Sequence, residues 1–163
     1  MTPAPLSDGD EKFMRIAVDL AAEHMRAGHG GPFGAVVVTG GRIVGRGWNQ
    51  VTSTNDPTAH AEVVAIRAAG ATLATFDLAG CVLYSSCEPC PMCLAAAYWA
   101  RVDRFVFAGT REDAAAAGFD DELFYTEFAL PQAERRLRAA QMMREEAQRI
   151  FAEWRELPGK IPY

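Results

Sequence analysis

His60, Cys90 and Cys93 are the side chains of this 163-residue chain best suited to hold a metal ion. They stand in His60-Ala61-Glu62 and, further on, in Pro89-Cys90-Pro91-Met92-Cys93. One imidazole and two thiolates are ligands that zinc takes. Three protein ligands leave a fourth position open to water, the pattern of a catalytic site rather than a structural one. Glu62 lies two residues beyond His60, close enough to handle the protons of that water. Zn2+ carrying two thiolates keeps little net charge and is a weaker Lewis acid than a three-histidine zinc, which gives a nearby base a task. The chemistry expected is hydrolytic. Glu62 takes a proton from water, an amidine-like carbon bearing an exocyclic amine is attacked, and Glu62 returns protons to a ring nitrogen and to departing ammonia.

The bland reading of the same residues is a structural zinc clip, or cysteines that merely pack. A bare C-x-x-C fits either. The upstream H-x-E, Pro89 and the lack of an obvious fourth ligand weigh toward catalysis. Cys87 is the one candidate for that fourth ligand and reads better as a loop thiol. Cys81 reads as a core strand residue, and His24, on a helical face, as packing or surface.

The elements that must position these groups follow from spacing. Phe13, Ile16, Ala17, Leu20 and Ala21 recur at helical spacing from Asp10 to about Ala27. Residues 1–9 form a short lead before it, with Ser7, Asp8 and Asp10 as candidate N-caps. Gly28-His29-Gly30-Gly31-Pro32 ends that helix. Residues 35–38 and 42–48 read as strands joined by a tight turn at Thr39-Gly40-Gly41. Residues 49–58 form a polar loop into a helix that starts at His60 and runs to about Ala69. Residues 81–85 and 102–108 are two more strands. Pro91 opens a helix where its missing N–H costs least, so Cys90 is the N-cap and Cys93 the third helical residue. Both sulfurs then face the positive end of a helix, which favours thiolates. An Ala-rich helix over 112–117, a compact segment 118–128 and a long amphipathic helix over 132–156 complete the chain.

The whole-chain properties bound the function. The length suits a single domain over 1–163. Net charge is −5 and the sequence pI about 5.2, which disfavours a polyanionic partner such as nucleic acid. No apolar run is long enough for a membrane span, and the N-terminus lacks a secretory pattern. Three of the four cysteines cluster within seven residues, which fits metal binding in a reducing, cytoplasmic setting better than disulfides. A hairpin followed by β–α alternation predicts an α/β fold: a mixed sheet with helices on both faces.

H-x-E followed by P-C-x-x-C is the pattern of zinc-dependent nucleobase deaminases. The chain resembles the cytidine deaminase-like superfamily and, within it, the bacterial guanine deaminases. The resemblance rests on Gly30-Gly31-Pro32-Phe33-Gly34-Ala35, on Asn49 and Asp56-Pro57-Thr58-Ala59-His60-Ala61-Glu62, and on Leu83-Tyr84-Ser85-Ser86-Cys87-Glu88-Pro89-Cys90-Pro91-Met92-Cys93. It also includes Tyr98-Trp99-Ala100-Arg101, Ala117-Gly118-Phe119-Asp120-Asp121 and a chain ending in Tyr163. The Gly-Phe-Asp-Asp segment and the terminal Tyr narrow the match to guanine. The resemblance implies a three-layer α/β/α cytidine deaminase-like fold with a mixed sheet of about five strands, and one Zn2+ per chain held by His60, Cys90 and Cys93. It implies hydrolysis of guanine to xanthine and ammonia, a step of purine catabolism. Glu62 and Asp121 would be the catalytic groups. Phe33 would pack on the purine ring, Asn49 would hydrogen-bond its edge, and backbone around Ala61 would line the rear. Asp121, preferred to Asp120 on the family match alone, would read guanine's polar edge. Tyr163, in a tail over 157–163, would close the site, in the family from the partner subunit of a domain-swapped homodimer.

Each of these residues has a duller reading. Phe33 could be core, Asn49 a turn residue, Asp120 and Asp121 helix caps, and Tyr163 a frayed terminus. Rival functions also remain: deamination of guanosine, cytosine or another amino-heterocycle with the same zinc chemistry, and tRNA adenosine deamination. The tRNA option needs a basic surface, and Arg135, Arg136 and Arg138 share their stretch of chain with Glu134, Glu145 and Glu146. A zinc-stabilised interaction domain is the non-enzymatic rival, against which Glu62 argues. Leu94-Ala95-Ala96-Ala97-Tyr98-Trp99 could be core or a dimer face.

Overall fold

The computed structural model describes residues 6–163, so the first five residues of the expected lead lie outside it. The chain forms two compact units, one ending at Asp121 and one spanning Glu122–Tyr163. In the first, helix α1 (Asp8–Arg26) begins after Ser7 as N-cap, two residues earlier than the apolar pattern suggested. The Ser7 backbone N–H donates to the Asp10 carboxylate at 2.7 Å, fixing the first turn.

Strands β1 (Gly34–Thr39) and β2 (Arg42–Trp48) pair as an antiparallel hairpin. Gly40 and Gly41 both have positive φ, which the tight turn requires and which only glycine adopts without strain. Strand β3 (Val82–Cys87) pairs antiparallel with β1, and β4 (Arg104–Gly109) runs parallel to β3. The order is β2-β1-β3-β4, a mixed sheet as predicted.

Four strands form it among the described residues, not about five. The reason lies in the residues after β4. The Thr110 N–H donates to the Asp113 carboxylate at 2.9 Å and the Asp113 N–H donates back to Thr110 Oγ1 at 3.2 Å, a reciprocal cap that starts helix α5 (Arg111–Ala116). No alternating run of β-branched residues follows that could supply a fifth strand.

Side chains alternate across the sheet, as strand geometry demands. Val36, Val38 and Tyr84 face one way and pack with Phe13 and Ala17 of α1. Ala35, Val37 and Leu83 face the other way and pack with Ala61, Ala65 and Ala69 of helix α3 (Ala61–Leu73) and Ala97 of helix α4 (Pro91–Trp99). Helices on both faces of one sheet make three layers. Between β2 and α3 a short helix, α2 (Val51–Thr54), forms inside the stretch expected to be loop.

Close approach sets the position of α3. A Cβ on Gly47 would fall 2.1 Å from the Ala61 carbonyl oxygen, and one on Gly45 would fall 2.2 Å from that of Ala65. Glycine on the strand and alanine on the helix therefore let the two backbones nearly touch. This puts the start of α3, where His60 and Glu62 sit, against the sheet.

The second unit contains helix α6 (Glu122–Ala129), a 3-10 turn at Gln132–Glu134 and helix α7 (Arg144–Glu156). The single long helix expected over 132–156 is thus only half present. Leu137 and Met142 are 84% and 83% exposed, so the apolar stripe gains no burial there, and burial rather than propensity is what sustains most helices.

A buried polar network ties α1 to β3 and β4. Asp10 is 4% exposed, and its carboxylate accepts two hydrogen bonds from the Arg104 guanidinium, at 2.9 and 2.6 Å, and one from the Tyr84 hydroxyl at 2.5 Å. The Arg104 hydrogen bonds hold the Asp10 carboxyl well below the usual carboxylate range against the opposing effect of burial. Burial and the Asp10 carboxylate push the Tyr84 phenol up to about 12. A depressed folded-state pKa means that this stabilisation is complete above the unfolded value and is lost as pH falls toward the folded one. Asp10→Asn should therefore lower stability by about 2–3 kcal/mol near neutral pH. The gap in melting temperature between wild type and variant should hold at higher pH and shrink below about pH 4. A gap unchanged in acid would show that the Asp10 charge contributes nothing.

Candidate active site

Two helix starts converge on one point. His60 is the N-cap of α3 and Cys90 the N-cap of α4, with Pro91 opening that helix and Cys93 in its first turn, as the spacing predicted. His60 Nδ1 lies 3.6 Å from Cys90 Sγ and 3.5 Å from Cys93 Sγ. The donor atoms of all three lie within 4.8 Å of one another. Two ligands held tetrahedrally by one zinc, at ordinary Zn–S and Zn–N lengths, stand about 3.6 Å apart. The donor set therefore fits zinc in type and in spacing, with Nδ1 as the imidazole donor. Among the described residues it is the one cluster of three or more metal-ligating side chains.

Cys87 does not join it. Its thiol lies 3.6 Å from the Thr110 carbonyl oxygen, and burial pushes its pKa up to about 11. Cys87 is thus engaged elsewhere, and the group of possible metal ligands is His60, Cys90 and Cys93. Cys90 behaves in the opposite way: the hydrogen bonds from Cys93 and His60 hold its thiol down to about 4, against burial. Cys93 is pushed far up, first by its contact with Cys90 and then by burial. A divalent cation held between the two sulfurs would take both as thiolates, because a coordinating thiol is deprotonated outright.

Glu62 occupies the first turn of α3 and is 6% exposed. Its Oε2 lies 3.4 Å from Cys93 Sγ, so the carboxylate stands directly beside the triad. Its other oxygen, Oε1, accepts from the Ser85 hydroxyl at 3.3 Å. Burial raises the Glu62 pKa, the direction that suits a group meant to take and return a proton near neutrality.

Of the other expected site residues, Asn49 and Phe33 are joined to each other, and Asp121 feels the charge of Cys90. Asn49 is buried, and its Oδ1 accepts from the backbone N–H groups of Gly31 at 3.3 Å and Val51 at 3.2 Å. With that oxygen occupied, the NH2 end of the amide is the one left to offer to a ligand. The Asn49 N–H donates to the Phe33 carbonyl at 3.0 Å, joining the two residues directly. A Cβ on Gly30 would overlap the Asn49 carbonyl at 1.9 Å, so glycine is what lets this loop close on Asn49. Ala61 is fully buried as the first residue of α3, where backbone N–H groups have no intrahelical acceptor.

Asp121 is half-buried whereas Asp120 is exposed. The Asp121 pKa is raised, first by burial and then by the negative charge of Cys90, which places it within electrostatic reach of the cluster. Tyr163 belongs to the second unit and is 73% exposed. His24 stacks on Trp48 with ring centroids 3.6 Å apart, a packing role.

Three residues went unassigned in the sequence reading. Ser85 holds Glu62, and its signal was the strand alternation that turns Tyr84 to one face and Ser85 to the other. Phe119 meets Phe33 edge-on, with centroids 4.9 Å apart, giving the Phe33 wall a second aromatic. Glu88 accepts from the Arg111 N–H at 3.1 Å, capping α5 and so tying the Cys90 loop to the segment that carries Asp121.

Residues 7–109 match the cytidine and deoxycytidylate deaminase zinc-binding region, and the chain belongs to this family of zinc-dependent deaminases. Within it, the chain is 50% identical over 153 residues to guanine deaminase of Bacillus subtilis, a match covering 94% of this chain and 98% of that one. The crystal structure of guanine deaminase from Bacillus subtilis superposes with a TM-score of 0.92 at 48% identity, covering 97% of this chain and 99% of that one. The tRNA-specific adenosine deaminase of Buchnera aphidicola is more distant, 37% identical over 118 residues, or 72% of this chain and 78% of that one.

Substitutions at the triad should separate from substitutions at Glu62. His60→Ala, Cys90→Ala and Cys93→Ala should each abolish stoichiometric zinc in purified protein, read by elemental analysis. Glu62→Gln should retain it. Zinc lost with Glu62→Gln would make the carboxylate part of the metal's support rather than a free base.

Proposed function

We propose that this chain hydrolyses guanine to xanthine and ammonia. The observation that carries the reading is a buried carboxylate, Glu62, in contact with a one-histidine, two-cysteine triad, in a chain half identical to a guanine deaminase along nearly its whole length. Zinc, when bound by His60, Cys90 and Cys93, supplies a Lewis acid that makes water a competent nucleophile near neutral pH.

The protein's own groups do the rest. Glu62 takes one proton from the attacking water and passes it to the ring nitrogen beside the carbon that bears the exocyclic amine. It then takes the second from the hydroxyl now on that carbon and gives it to the leaving ammonia as the C–N bond breaks and the carbonyl forms. Phe33 packs on the purine face and Phe119 braces it. The Asn49 NH2 donates to an acceptor on the purine edge. The Ala61 backbone closes the rear. Asp121 accepts from the guanine N–H edge and assists the proton transfers, its raised pKa being suited to that task. A site built from such polar groups rejects bases that leave them unpaired.

The same reading assigns the 157–163 tail, ending in Tyr163, to closing a site, from the partner subunit of a domain-swapped homodimer. The apolar outer residues of α4 support a dimer, since Leu94, Tyr98 and Trp99 are exposed. Thiolate ligands support a reducing, cytoplasmic setting, and no helix among the described residues is long and apolar enough to cross a membrane. The tRNA reading gains no support from the arginines of the second unit. Arg135 Nε donates to the Leu130 carbonyl at 3.0 Å, Arg138 to the Ala133 carbonyl at 3.2 Å, and Arg136 pairs with Glu127 at 3.7 Å.

Ammonia release from zinc-loaded protein offered guanine, guanosine, adenine and cytosine separately tests the proposal. Guanine should be turned over well above the rest, and Glu62→Ala should lower kcat by about 100-fold or more. Removing Tyr163 should cut activity while leaving the melting temperature unchanged. A preference for guanosine or cytosine would refute the pocket built from Phe33, Asn49 and Asp121. Full activity without Tyr163 would refute its closing role.

A further inference from the structure

Ser85 is fully buried in the middle of β3 and donates its hydroxyl proton to the Glu62 carboxylate. We propose that Ser85 is a positioning residue for Glu62, fixing which carboxylate oxygen faces the triad. The inference rests on the proposed deaminase chemistry only for its kinetic consequence, because the geometry stands without it.

The hydrogen-bonding capacity of Ser85 is assigned from both ends. The Cys87 N–H points at Ser85 Oγ from 3.5 Å, on the acceptor side of the hydroxyl. A serine hydroxyl has a single proton, and here it goes to Glu62 Oε1 at 3.3 Å. That leaves Oε2 as the oxygen beside Cys93, at 3.4 Å. The terminal torsion of a glutamate is broad and nearly two-fold, so packing alone does not choose an orientation for the carboxylate. A hydrogen bond to one oxygen does.

Ser85 is itself held by what lies behind it. The preceding residue, Tyr84, points to the opposite face of the sheet and is clamped there by Asp10 and Arg104. Tyr84 and Ser85 also pair with Val36 and Ala35 of the central strand β1. The donor therefore sits on a rigid strand rather than a loop, the arrangement that holds a reacting group to a fraction of an ångström.

The test compares zinc-loaded wild type, Ser85→Ala and Ser85→Thr by steady-state kinetics and by crystallography. Ser85→Ala should retain zinc and leave KM unchanged while lowering kcat by about 10- to 100-fold, the scale of an ångström-level misplacement. Ser85→Thr, which keeps the hydroxyl, should stay near wild type. In the crystal, the Glu62 carboxylate should take a single orientation in wild type and rotate or split in Ser85→Ala. Wild-type kcat in Ser85→Ala would overturn the proposal, as would equal losses in both variants, since packing would then explain them. If wild type turns over none of the bases offered, the functional reading fails alone, and the crystal still decides: an unmoved Glu62 carboxylate in Ser85→Ala would overturn the role of Ser85.

Discussion

The close approach of α3 to the sheet and the packing of α4 against α3, which bring one imidazole and two sulfurs within 4.8 Å of one another, are the constraint on which the rest depends. Two sulfurs and an imidazole nitrogen so near each other are spaced to share one cation. All three sit at helix starts, where the backbone presents unpaired N–H groups and partial positive charge. Gly45 and Gly47 under the alanine stripe of α3 set how close that helix comes. Residues with no chemistry of their own thus decide whether the chemistry can assemble.

Two kinds of polar burial divide the labour. On the α1 face, Asp10, Tyr84 and Arg104 form a satisfied network that locks the sheet to its helix. On the opposite face, Glu62 is buried against sulfur and a single hydroxyl, a poorer environment for a charge, and its pKa rises accordingly. Adjacent residues of β3 connect the two: Tyr84 serves the first and Ser85 the second. One strand carries both the stability of the unit and the orientation of its base.

Much of this was legible in the sequence. Pro91 after Cys90 fixed the N-cap and so the direction of both sulfurs, and the polar run into His60 marked the start of α3. The Gly-Gly turn marked the hairpin. What stayed hidden depended on tertiary contact. Ser85 reads as one small residue among several until the sheet places it opposite Glu62. Phe119 acquires a partner only when its loop folds back to Phe33. The amphipathic pattern over 132–156 promised one helix, but a pattern becomes a helix only where its apolar face is buried, and Leu137 and Met142 are not. The fifth strand was an expectation of family likeness, and the Thr110–Asp113 cap that starts α5 marks the helical turn the chain takes instead.

X-ray absorption at the zinc edge of the purified protein tests the central claim most directly, that three protein ligands leave one position open. The spectrum should show two sulfur scatterers near about 2.3 Å and two lighter ones near about 2.0 Å, the latter being one imidazole nitrogen and one solvent oxygen. Replacing Cys87 with Ala should leave that spectrum unchanged. A third sulfur in the first shell, lost in Cys87→Ala, would show a closed structural site and would contradict the catalytic reading.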